Sequence, residues 1–127
     1  MRAGADAVAR GGHRLAFAWR VVFVVYAAAL EVATHWPRLR IPGDVPSSDK
    51  WIHAVAFAGW TVLLWRTGWL TRRWVVVAIG LAWSVGNEVS QGIPGLHRVV
   101  TPLDMAANAA GVVVAAGWLL VEPCLLA

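Results

Sequence analysis

The chain has 127 residues, 59% of them hydrophobic and only 14% charged, with mean hydropathy +0.62 and a formal net charge of +4. One domain fits that length, and a soluble domain of this size would carry more charge on its surface, so lipid is the expected solvent. The pI near 10.6 does not signal nucleic-acid binding, because the arginines flank apolar segments and build no continuous basic face.

Residues 1–14 are small and basic, with Arg2, Arg10, Gly11, Gly12 and Arg14. They read as a flexible cytoplasmic tail. An apolar segment follows, from Leu15 to His35, with Arg20 and Glu31 near its ends, where both can snorkel to the interfaces. The basic start and Ala27-Ala28-Ala29 also fit a signal peptide with a small-residue cleavage site. Arg20 interrupts that pattern, and an uncleaved first helix is the simpler reading.

Pro37, Pro42, Gly43, Pro46, Ser47 and Ser48 then form a breaker-rich loop. The second apolar segment runs from Lys50 to Trp65, short for a span of about 20 residues unless Ser48 and Arg66 to Leu70 extend it. Arg66, Arg72 and Arg73 mark a tight turn. The third segment covers Trp74 to Ile93 and contains Glu88; Gly92 to Arg98 ends it. The fourth covers Pro102 to Val121, with Thr101 as N-cap and Pro102 at the first helical position. Residues 122–127 form a short tail. The fold expected is therefore all-α, an integral membrane bundle of about four transmembrane helices over residues 15–121.

Arginine is concentrated in the N-terminal region and the second loop, which places both termini in the cytoplasm. Trp36 and Trp51 then belong to the outer interface, and Trp65, Trp69 and Trp74 to the inner one, since indole rings favour the headgroup zone.

With that topology three polar stripes reach the same outer edge. The second helix opens with Asp49, Lys50 and His53, and Asp49 and His53 share a face at a spacing of four. The third ends with Ser84, Glu88 and Gln91, and the fourth begins with Asp104, Asn108 and Gly111. His97 and Arg98 lie in the loop between them. An acidic residue at a helix centre costs about 2.5–3.5 kcal/mol, less near the interface. Glu88 therefore needs a partner, with Lys50, His53 and Arg98 as candidates. Structural duties fit the same residues. Asp49 and Asp104 are placed to cap helices, the latter in a Thr-x-x-Asp pattern. His53 has the alternative of an idle interfacial histidine, Asn108 that of a bond between helices, and Ala107, Gly111 and Ala115 form a small-residue packing stripe. Asp49, His53, Glu88 and Asp104 have donors acceptable to a divalent ion, but no dense metal motif accompanies them, and no metal or cofactor is expected. No Ser or Cys nucleophile triad is visible, and the single Cys124 excludes an intramolecular disulfide.

Asp49-Lys50-x-x-His53, Glu88-x-x-Gln91, Arg98 and Asp104-x-x-x-Asn108-x-x-Gly111 together resemble the VanZ-like family across residues 20–120. Ala54 departs from that pattern, which places an aromatic after the histidine. The family is named for a bacterial protein giving low-level resistance to the glycopeptide teicoplanin without altered peptidoglycan precursors. The resemblance implies a small multi-pass protein of the bacterial cytoplasmic membrane, and no mechanism. Three readings follow. The first is a non-enzymatic envelope protein whose polar edge meets a lipid-linked or lipophilic ligand. The second is a small intramembrane enzyme acting on an envelope lipid, with Glu88 or Asp104 as base and His53 as partner. The third is an accessory subunit, since short Ala/Gly-rich helices suit packing in a homo-oligomer or a larger membrane complex.

Overall fold

In a computed structural model the described residues are 2–36, 48–93 and 101–125, with side chains described for 12–36, 49–93 and 101–122. They form four α-helices and, among them, no strand: α1 (Arg2–His35), α2 (Ser48–Arg66), α3 (Arg73–Gln91) and α4 (Pro102–Leu125). The first loop and the segment with His97 and Arg98 lie outside the described residues.

The apolar runs become helices within a residue or two of their sequence limits at α2 and α3. The first differs. Its helix begins at Arg2, not at Leu15, and runs 34 residues. Ala3, Ala5, Ala7 and Ala9 favour the helix there, since alanine has the highest helix propensity, and they offset Gly4. Within it, Gly12–His35 is long and apolar enough to cross a membrane, as is Pro102–Glu122 of α4. α2 and α3 have 19 residues each and carry more polar groups on their faces.

The turn between α2 and α3 is closed locally. Thr67 donates its N–H to Leu63 and its hydroxyl to the Leu64 carbonyl at 2.7 Å, and the same hydroxyl accepts from Trp69 N–H at 3.2 Å. Gly68 follows at φ +68°, the left-handed conformation that commonly ends a helix.

α2 and α4 make the most extensive helix contact, α3 packs on α4, and α1 lies mainly against α2. Gly111 explains the closeness of the first pair. A Cβ there would stand 2.8 Å from the carbonyl carbon and 3.0 Å from the Cα of Ala54, so only hydrogen fits. Ala115, one turn on, is buried as well. The core is small: Phe23, Trp60, Leu64, Val76 and Leu119. Phe23 meets Trp60 edge-on at 5.3 Å, and Trp60 stacks on Trp83 at 5.9 Å. Outside it, α1 exposes Leu15, Phe17, Val21, Val24 and Val25.

One end of the bundle is tied by arginine. Arg66 pairs with Glu122 at 2.5 Å, and its guanidinium lies 5.8 Å from the Trp19 ring and 5.5 Å from that of Trp118. Trp65 donates its indole N–H to the other Glu122 oxygen at 3.1 Å. Arg20 donates to the Thr67 carbonyl at 3.1 Å, which joins α1 to the turn. Arg20 and Arg66 thus have a carbonyl, an anion and ring faces, and Arg73 lies 5.6 Å from the Trp65 ring, the arrangement expected where charged groups meet apolar surface.

Candidate functional site

The opposite end gathers the C-termini of α1 and α3 and the N-termini of α2 and α4. Antiparallel packing puts them there, and side-chain bonds connect them.

Lys50 is the bridge between α2 and α4. Its ammonium donates to Asp49 at 2.8 Å and reaches Asp104 at 3.4 Å. Asp49 and Lys50 stand in the first turn of α2, before the apolar run that starts at Trp51. One turn deeper, His53 Nδ1 is 2.9 Å from Asn108 Oδ1. An amide oxygen only accepts, so this imidazole nitrogen carries the proton. The spacing of four that aligned Asp49 with His53 therefore puts them on one face but with different partners.

Glu88 is 1% exposed. Its Oε1 accepts the backbone N–H of Thr101 at 2.8 Å. Of the three candidates named from the sequence, Lys50 and His53 are engaged on α4 instead, and Arg98 is outside the described residues. The start of α4 shows why. In a reciprocal capping box the residue three after the cap returns its side chain to the cap's own N–H. Thr101 makes the forward half, accepting from Asp104 N–H at 3.1 Å. Asp104 turns instead toward Lys50, and Glu88, from another helix, takes the Thr101 N–H. Asp104 is thus not the reciprocal cap its spacing suggested. Glu88 Oε2 and Asn108 Nδ2 are both buried without a hydrogen-bond partner among the described residues. Ser84 is fully buried one turn below Glu88, bonded to the Leu81 carbonyl.

A second set of polar residues joins α1 to α3. Asn87, 3% exposed, donates to Glu31 Oε1 at 3.0 Å and to Thr34 Oγ1 at 3.0 Å, and accepts from Gln91 Nε2 at 3.1 Å. His35 Nε2 lies 2.8 Å from Ser90 Oγ. Its Nδ1 lies 2.9 Å from the Glu31 carbonyl and 3.5 Å from the Glu31 carboxylate. Of this group only Gln91 and Glu31 stood out in the sequence, the latter as a snorkelling residue. Glu31 and His35 are spaced four apart, a same-face signal that was available. Their pairing with residues more than 50 positions away had no sequence trace.

Among the described residues no three His, Cys, Asp or Glu side chains converge. What the arrangement offers is a set of donors and acceptors at one end of the bundle, linking α1 to α3, α3 to the start of α4, and α4 to α2. No family model matches the chain, and no curated protein or solved structure is similar to it, so any function is argued from this geometry and from the sequence pattern.

Proposed function

We propose that the chain is a four-span, VanZ-like membrane protein of the bacterial envelope. In this reading its polar end faces the outer leaflet and binds the head of a lipid-linked or lipophilic envelope molecule, and so modulates glycopeptide susceptibility. The single observation that carries the proposal is the meeting of Lys50 with Asp104, His53 with Asn108, and Glu88 with Thr101 at one end of the bundle. Buried carboxylate and amide atoms without partners among the described residues, Glu88 Oε2 and Asn108 Nδ2, are costly in an apolar interior and suit a site that a ligand or water completes. The exposed apolar faces of α1 and α4 support lipid as the solvent. Exposed Trp36 and Trp51 at the polar end, and Trp69 and Trp74 at the arginine end, suit two headgroup zones.

Two measurements test the reading. Reporter fusions after Gly43, Gly68 and Gly95 are expected to report outside, inside and outside; an extracytoplasmic Gly68 overturns the orientation. Glu88→Gln, which keeps the Oε1 acceptor for Thr101, is expected to retain membrane abundance and lose the effect on teicoplanin susceptibility. Glu88→Ala is expected to lower abundance as well. Parental susceptibility in both variants removes Glu88 from the site.

A further inference from the structure

Ser90, His35 and Glu31 stand in the order that nucleophilic catalysis requires: hydroxyl, imidazole, carboxylate. The hydroxyl oxygen is 2.8 Å from His35 Nε2, and the carboxylate of Glu31 is 3.5 Å from Nδ1. The tautomer follows from the partners. Three groups face Nδ1: the Glu31 carbonyl at 2.9 Å and its carboxylate, which only accept, and the Thr34 hydroxyl at 3.1 Å, whose own proton goes to the Leu30 carbonyl at 2.9 Å and leaves its oxygen to accept, so Nδ1 holds the proton. In the neutral ring Nε2 then offers a lone pair to the Ser90 hydroxyl. Glu31 is itself held, because Asn87 donates to its Oε1 at 3.0 Å. Nucleophile and base are thus at hydrogen-bonding reach, and the Glu31 carboxylate stands in ion-pair contact with the base at 3.5 Å, with Asn87 behind it fixing the carboxylate.

The surroundings identify a substrate class. Ser90 and His35 are partly exposed, not sealed in the core. An apolar groove lined by Ala28, Ala29, Val32, Ala33 and Trp36 lies on α1. Ala28 and Val32 precede His35 by seven and three residues, so His35 borders the groove on the same helix face. An acyl chain laid in the groove brings its carboxyl end to the imidazole.

We propose that Ser90 is an acyl-accepting nucleophile, with His35 as its general base and Glu31 as the positioning residue, acting on a carboxylic ester with an apolar acyl chain. The hydroxyl proton, which also reaches the Asn87 carbonyl at 2.8 Å, passes to His35 Nε2 as Ser90 Oγ bonds to the ester carbonyl carbon. The tetrahedral adduct collapses, the bond to the alcohol breaks, and the leaving oxygen takes the proton from Nε2. Water then attacks the acyl-serine by the same steps. It releases the carboxylic acid and restores Ser90, so that ester and water give acid and alcohol. The substrate class rests on the membrane reading; the reactivity of Ser90 does not.

The test uses the full chain purified in detergent. A fluorophosphonate probe is expected to label the parent, with the adduct on the peptide containing Ser90 by mass spectrometry. Ser90→Ala is expected to lose it. His35→Gln is expected to slow labelling about 10²–10⁴-fold, the usual size of a general-base contribution, and p-nitrophenyl butyrate turnover is expected to fall in parallel. Glu31→Gln is expected to lower the maximal turnover rate with KM unchanged, and Glu31→Asp to restore part of it. Circular dichroism and gel filtration confirm that each variant is folded. A folded parent that takes no label, or label that persists in Ser90→Ala, overturns the assignment. Labelling of Ser90 with an extracytoplasmic Gly68 fusion instead overturns the orientation and leaves the nucleophile standing.

Discussion

Gly111→Ala is the sharpest test of how α2 and α4 meet. The added methyl would stand 2.8 Å from the Ala54 carbonyl carbon and 3.0 Å from its Cα, with the carbonyl oxygen nearer still. Carbon atoms rest about 3.5–4.0 Å apart. All three obstacles are backbone, so no rotamer change relieves them, and the helices must separate by roughly 1 Å. Overpacking of this kind costs about 1–3 kcal/mol. One turn away the His53–Asn108 bond at 2.9 Å would stretch past the hydrogen-bond limit, with a loss of about 1 kcal/mol. The expected destabilisation is about 2–4 kcal/mol by these terms. The assay is unfolding in detergent, by heat or denaturant titration, with Gly117→Ala as the control. Gly117 is exposed on the same helix and a Cβ there meets nothing within 4 Å. That control is expected to be neutral or to stabilise by up to about 1 kcal/mol through helix propensity. Equal stability of the two variants would refute the close approach.

The arginine end and the α1–α3 junction give two further expectations. Glu122→Leu strands both the Arg66 guanidinium and the Trp65 indole N–H, and a loss of about 2–4 kcal/mol is expected in the same unfolding assay. Adding Arg66→Met should recover part of it; no recovery would mean that the stranded cation is not the source. Asn87→Leu removes the residue that serves Glu31, Thr34 and Gln91 together, at about 2–3 kcal/mol. Because α1 touches α3 at few other points, hydrogen exchange should quicken in α1 while α2 and α4 keep their protection; a uniform change would contradict that local role.

Much of the architecture was legible in residue order. Apolar runs bounded by Pro, Gly and Arg delimit the helices, because a chain that cannot donate an N–H or that needs positive φ leaves the helix there. Thr101 and Pro102 marked the start of α4, where the Thr101 hydroxyl does accept from Asp104 N–H. Gly111 was read as a packing residue, and it faces the Ala54 backbone. The polar stripes were readable as faces, since a spacing of three or four is a property of one helix alone. Tertiary structure decided what each face meets. Glu88 accepts from Thr101 and not from Lys50, because the turn of α3 against α4 sets which donor lies within 3 Å. Ser90 meets His35 across 55 residues for the same reason. Helical period is local and survives in the sequence; the rotation of one helix against another is a sum of many small packing terms, and no single residue records it.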